Sequence, residues 1–384
     1  MRVVGALMAI AAMTAAPADA KGTVADAKGM AAAARRALAE TQANGLAIAV
    51  IDHGRVASVE AFGKRNAKGD PLTIDTVMYG ASITKAVFGY LVMQLVDEGK
   101  VDLDRPIAAM LPKPIPDYGN IGAYGNWGDL AGDDRWKAIT PRMAMTHSTG
   151  FANFAYLEPD RKLRIHFDPG THFSYSGEGI MLLQFGLERG LGLDVGAELQ
   201  RRFFGPLGMT HTSLKWRPDF AANLADGWTS DGKIEPHDER SRVRVAGSMD
   251  TTIGDLAKFA AYMARGGGLS RTTAAERVRG SLPITTATQF PNFQPDAPAD
   301  KRVPGLGAGI GVVAFTGPQG PGWFKGGHNE STGNTLVCVE RGERCVLILS
   351  NDVRAERAFP MLVKAALGET GVPFGWEYGD QAGR

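Results

Sequence analysis

The chain has 384 residues, 44% hydrophobic and 22% charged, with a formal net charge of +1. That is ordinary globular composition with apolar material for a large core. So even a balance supplies no electrostatic pull toward nucleic acid or an anionic membrane, and no repeat period or low-complexity tract points to a solenoid or a disordered tail.

The first stretch, "MRVVGALMAIAAMTAAPADAKG", reads as a signal peptide over residues 1–20. Arg2 is a short positive region, Val3 to Ala16 an apolar run, and Ala18-Asp19-Ala20 a small-x-small cleavage site. A transmembrane anchor would need about 20 apolar residues. The expectation is a periplasmic or secreted protein, off the membrane after cleavage.

"TVADAKGMAAAARRALAETQANG" then has helical composition and stops at Asn44-Gly45. In "LAIAVIDHGRVASVEAFGKR" two apolar runs flank His53-Gly54, a hairpin pattern. From about Ser82 to Gly268 helical signals dominate. "GIMLLQFGLERGLG" and "TTIGDLAKFAAYMARGG" are amphipathic and stop at glycine. From about Gly305 the pattern turns β again ("GLGAGIGVVAF", "NTLVCVE", "CVLILSN"), and a helix, "RAERAFPMLVKAALGE", follows.

These elements predict an α+β fold: one antiparallel sheet formed from both termini, flanked by helices, with a mostly helical lobe inserted. Residues 21–384 form a single domain, with an α/β lobe over about 21–80 plus 250–370 and a helical lobe over about 81–249. A cleft between the lobes is the expected site. The Gly-, Pro- and aromatic-rich loop from Pro112 to Trp136, with Tyr118, Tyr124 and Trp127, suggests a wall over it, or a loop pinned to the core by the same rings. The two cysteines, Cys338 and Cys345, flank "ERGE". With Arg341-Gly342 as a two-residue turn they face each other, as a disulfide or as two small apolar strand residues.

Three features could carry chemistry. In "YGASITKAVFGYLVMQLVDEG", Ser82 sits at a helix start and Lys85 one turn along the same face of an otherwise apolar helix. A serine hydroxyl needs a neighbouring base, and a lysine in a dry site loses preference for its charged form. The plainer alternative is a capping serine and a lysine reaching to water. A second Ser-x-x-Lys, Ser230 to Lys233, has no helix behind it and reads as chance. In "FDPGTHFSYSGEGIMLLQ", Tyr175 lies at a loop-to-helix junction, as a proton relay or a buried phenol. In "GWFKGGHNESTGNTLVCV", His328 follows glycines at a strand entry. The seven histidines show no metal-ligand spacing, so a zinc site is not expected.

In this order the three features resemble the serine β-lactamase and penicillin-binding-protein superfamily, in its class C-like hydrolase and esterase branch. "ITPRMAMTHSTGF", "FFGPLGMTHTSL" and "VAGSMDTTIGDLAKFAAYM" look like further family segments, and the likeness extends over roughly residues 47–368. The resemblance implies Ser82 as acylated nucleophile, Lys85 as its base and Tyr175 as the tyrosine of the second motif. It places His328 at the third motif, with Asn329 toward substrate and the N–H groups of Ser82 and Ser331 as oxyanion donors, and the acyl-enzyme route it implies requires no metal or organic cofactor; Trp127 is set toward substrate by the loop reading. An alternative register takes Lys325-Gly326-Gly327 as the third motif; His328 is preferred because Gly333 then falls where a further glycine is expected. Two departures stand out: Gly177 replaces asparagine in the second motif, and Glu330 brings a carboxylate near the pocket. Both weigh against β-lactams and leave ester or small amide hydrolysis intact. The rivals are a β-lactamase or D,D-peptidase and a non-catalytic binding protein.

Overall fold

The hairpin around His53-Gly54 forms and makes one edge of the main sheet. The computed structural model describes residues 27–379, so the signal-peptide reading of residues 1–20 lies outside the described residues. After helix α1 (Ala27–Thr41), strands β1 (Gly45–Asp52) and β2 (Arg55–Gly63) are joined by His53 and Gly54, with φ of 47° and 65°. Two left-handed residues in succession give a turn whose twist matches a hairpin.

The other strands come from much later in the chain: β3 (Leu282–Pro283), β4 (Gly307–Ala308), β5 (Val313–Gly317), β6 (Gly320–His328), β7 (Gly333–Val339) and β8 (Arg344–Ser350). Their order is β2-β1-β8-β7-β6-β5-β4-β3, with every neighbouring pair antiparallel. The sheet is thus closed by pairing β1 with β8, as expected of an antiparallel sheet built from both ends.

The strand period of two then makes two cores. Leu46, Ile48 and Val50 join Val346 and Ile348 on one face, under α1 and a late helix, α5 (Phe359–Leu367). Ala47, Ala49 and Ile51 join Leu347 and Leu349 on the other. There they meet α2 (Ile83–Asp97) and α4 (Ile253–Ala264), while α3 (Gly177–Phe185) belongs to the helical lobe beyond. Burial of each large aliphatic side chain is worth about 1.5–3 kcal/mol, enough to explain helices on both faces. Every residue of α2 from Ile83 to Leu95 is buried. Its Gly89 lets the 310–311 backbone approach, since a Cβ there would stand 2.8 Å from the Ile310 carbonyl oxygen. The helix that carries Ser82 and Lys85 is therefore held on all sides.

Cys338 and Cys345 are register partners on β7 and β8 and form a disulfide. The strands stop at Val339 and Arg344, so Glu340 to Glu343 make a four-residue connection that keeps the register of the expected two-residue turn.

The 112–136 loop corrects the wall expectation. Trp127 is fully buried, and the rings of Tyr118, Tyr124 and Trp127 stand 4.9, 5.3 and 5.7 Å from Phe185 of α3. The aromatics pin the loop to the helical lobe, because one apolar ring offers them a shared contact away from water. Trp127→Ala should cost about 3–5 kcal/mol of stability, the usual range for emptying such a site. Denaturant unfolding checks the loss, and relative rates among esters should stay unchanged; a changed ester preference with native stability would contradict the packing role.

Candidate active site

Ser82 is the N-cap of α2 and follows Ala81, whose φ of 46° is uncommon outside glycine. The hydroxyl makes no capping bond. Lys85 is one turn on, 1% exposed, with Nζ 2.9 Å from Ser82 Oγ. The same ammonium donates to the carbonyl of Ala246. Burial holds the Lys85 pKa below the ordinary lysine value; the Tyr175 phenol opposes this and Lys325 adds to it. A desolvated amine beside a second cation favours the neutral form, the form that accepts a proton.

Tyr175 lies just before α3, whose N-cap Ser176 accepts the Gly179 N–H at 3.0 Å. Its ring centroid is 4.9 Å from Lys85 Nζ and 5.2 Å from Lys325 Nζ, so two amines flank one phenol. Behind the ring, His147 packs tilted by 30° with ring centroids 4.2 Å apart, and its Nδ1 accepts the Ser176 N–H at 3.1 Å. Burial, reinforced by Lys85 and Lys325, pushes the His147 pKa well down, so a neutral imidazole backs the tyrosine. The sequence noted "THS" only as a family-like segment and missed this support. Gly177 has a spatial reason: a Cβ there would meet the Phe154 ring at 2.5 Å. The space next to Gly177 is filled by an aromatic ring.

Strand β6 supplies the third side and corrects the preferred register. Asn329 N–H bonds Thr332 O, and Glu340 N–H bonds Pro321 O, so the odd-numbered residues aim their backbone groups at β7. Even-numbered residues aim the other way, where β5 pairing reaches only to Phe324. Gly326 and His328 thus present backbone groups along an unpaired edge facing α2. Gly327 lies against the nucleophile: a Cβ would stand 3.0 Å from Ser82 N and 2.8 Å from Ile83 N. This packing makes the N–H groups of Ser82 and His328 the candidate donors for an oxyanion.

Lys325, 3% exposed and beside Tyr175, therefore occupies the third-motif cation position, and the Lys325-Gly326-Gly327 register is the one that fits. Ser331 does not serve the oxyanion. Its N–H donates to Asn329 Oδ1 at 3.1 Å and its carbonyl accepts from Trp228, in the turn beyond β6. His328 lines the cleft with its ring as well, Nδ1 lying 3.1 Å from Glu356 Oε1. Burial opposes the charged imidazole but the Glu356 bond outweighs it, and the His328 pKa is raised.

These groups meet in a cleft of about 870 Å³. Stacked Phe154 and Tyr156 form one lip, with Phe290 deeper in; Asn329 and Glu330 sit on the exposed rim. Arg240, Arg244, Gln289, Glu356 and Glu377 also line it. Trp127 is not among the lining residues. No group of three metal-ligating side chains occurs among the described residues.

A helix-cap hydroxyl, a desolvated amine at 2.9 Å, a flanked phenol and paired N–H donors together define a serine hydrolase that acts through a nucleophilic serine. The Beta-lactamase family model matches residues 30–383, and the chain belongs to that family. Among curated proteins it is 28% identical over 253 residues to the monacolin J acid methylbutanoyltransferase of Aspergillus terreus, covering 57% of this chain and 60% of that one. It is 26% identical over 319 residues to the esterase EstB of Burkholderia gladioli, covering 75% and 79%. The octameric penicillin-binding protein homologue of Pyrococcus abyssi superposes with a TM-score of 0.69 at 17% identity, over 91% of this chain and 79% of that one. The matched stretch thus spans less than two thirds of the methylbutanoyltransferase, and the structural likeness speaks to the fold.

Proposed function

We propose that the protein is an exported hydrolase of carboxylic esters that works through an acyl-enzyme on Ser82. The observation that carries this is the buried Lys85 amine 2.9 Å from the Ser82 hydroxyl, opening into the cleft. Neutral Lys85 takes the Ser82 proton as Oγ attacks the ester carbonyl. The carbonyl oxygen, now negative, lies between the Ser82 and His328 N–H groups. The proton passes from Lys85 through Tyr175 to the departing alkoxide, and the ester C–O bond breaks. Water then enters on the same side, gives a proton back along Tyr175 and Lys85, and releases the acid as Ser82 re-forms.

The choice of an ester over a cell-wall peptide or β-lactam is supported by the Phe154 ring beside Gly177 and by the likeness to an esterase. An alcohol could replace the water, as the name of the methylbutanoyltransferase suggests for that relative. Export is supported by the pattern of residues 1–20, and the Cys338–Cys345 disulfide suits an oxidising compartment.

The test is nitrophenolate release from p-nitrophenyl butyrate by the wild type and Ser82→Ala, with penicillin G in a parallel reaction. Turnover that disappears in Ser82→Ala, without a lasting penicillin adduct, is the expected result. A persistent penicillin adduct would move the substrate class to cell-wall peptides. No Ser82-dependent signal with either would favour a binding role.

A further inference from the structure

Helix α6 (Phe374–Tyr378), which the sequence pattern did not announce, carries an acid to the cleft. A Cβ at Gly326 would stand 2.0 Å from Glu377 Oε1 and 2.8 Å from Tyr378 Oη. The carboxylate thus occupies the space that a side chain at residue 326 would fill, one residue from the cleft-lining Lys325. It is held in place: Gln289 Nε2 donates to Glu377 Oε2 at 2.6 Å, and Tyr378 Oη donates to the Asn334 carbonyl at 2.8 Å. Glu377 and Gln289 are each 5% exposed, so the acid is not a solvated surface group.

The direction of the leaving group follows from the mechanism. Tyr175 protonates it, Lys325 Nζ is 5.2 Å from the Tyr175 ring, and Glu377 lies beside Gly326. The departing alcohol therefore leaves toward Tyr175 and Lys325, and Glu377 lines the same cleft from beside Gly326. At that end Lys325 Nζ donates to the Gly326 carbonyl at 2.6 Å, Glu377 is the carboxylate whose charge acts on it, and Glu356 is engaged by His328. Arg240 is committed to Asp250 and the Tyr79 ring, and Arg244 acts on Tyr156 and Glu178.

We propose that Glu377 sets the charge preference of the leaving-group end: it favours leaving alcohols that bear an ammonium and disfavours those that bear a carboxylate. The buried Glu377 carboxylate lines this end of the cleft, so a second anion meets repulsion there, whereas a cation gains a fixed partner. This rests on the ester-hydrolase function proposed above.

The test uses three butyrate esters of the mature enzyme's assay, with phenyl, 3-carboxyphenyl and 3-(trimethylammonio)phenyl leaving groups. Their kcat/KM values are expressed relative to phenyl butyrate, after correction for non-enzymatic hydrolysis rates of the same esters. The wild type should prefer the ammonio over the carboxy ester by about tenfold or more, and Glu377→Gln should remove most of that preference. Gln289→Met, which frees the carboxylate from its anchor, should give an intermediate ratio. A wild-type preference for the carboxy ester, or an unchanged ratio in Glu377→Gln, would overturn the proposal while leaving ester hydrolysis standing. Absence of Ser82-dependent turnover with all three would remove both together.

Discussion

Replacing Lys85 by methionine should lower kcat for ester hydrolysis by about 10³–10⁴-fold, with the fold retained. Methionine fills the same narrow, buried channel without a charge, so packing changes little. What is lost is the base 2.9 Å from Ser82 Oγ, and general-base assistance of this kind contributes about 10²–10⁴-fold. The pH profile gives the sign independently. Lys85 acts only when neutral, so the rate should rise with pH as it deprotonates and then level off. Because burial lowers its pKa, that rise belongs below the ordinary lysine range. Lys325 contributes to the same lowering, so Lys325→Ala should move the rising limb of the profile toward higher pH. A profile in which the Lys85→Met residual activity keeps the same limb would assign it to another group.

The second large effect is expected at a residue with no side chain. Gly327→Ala should reduce kcat/KM by about 10²–10³-fold, the cost of losing an oxyanion donor. The added methyl meets backbone rather than a yielding side chain: Ile83 N at 2.8 Å, Gly80 O at 2.9 Å and Ser82 N at 3.0 Å. Strand β6 must then move away from α2 and take the His328 N–H with it. Circular dichroism and the unfolding midpoint should remain close to wild type, because the strand stays paired to β7 along its other edge. Wild-type kcat/KM in this variant would show that β6 does not set the oxyanion geometry.

The parts of the site that the sequence displayed are those written in local pattern. Ser82 and Lys85 stand out because a polar pair one turn apart interrupts an apolar helix, and Tyr175 because it precedes another. The β6 edge was obscured for a physical reason. "GPGWFKGGH" holds four glycines and a proline, residues depleted from strands, so its β character comes from pairing with β7 and β5. His328 was therefore read as the entry to the next strand, although it is the last residue of β6, and the oxyanion role fell to Ser331 instead of to the His328 N–H. Trp127 shows the converse: an aromatic in a long loop suggests a substrate wall, yet Phe185 of α3, distant in sequence, draws it into the core. Ala246 and His147 lie in segments that read only as family-like, and Glu377 in none; all three reach the site through tertiary packing. The sheet itself was legible because apolar runs at both ends of the chain need partners on both faces.

The central claim is a covalent intermediate on Ser82. Mature protein mixed with p-nitrophenyl butyrate, quenched in acid during turnover and digested for peptide mass spectrometry, tests it most directly. The predicted result is one butyryl group on Ser82, absent from Ser82→Ala and chased off by water before a late quench. A butyryl group on another residue at wild-type turnover, or undiminished turnover by Ser82→Ala, would contradict it.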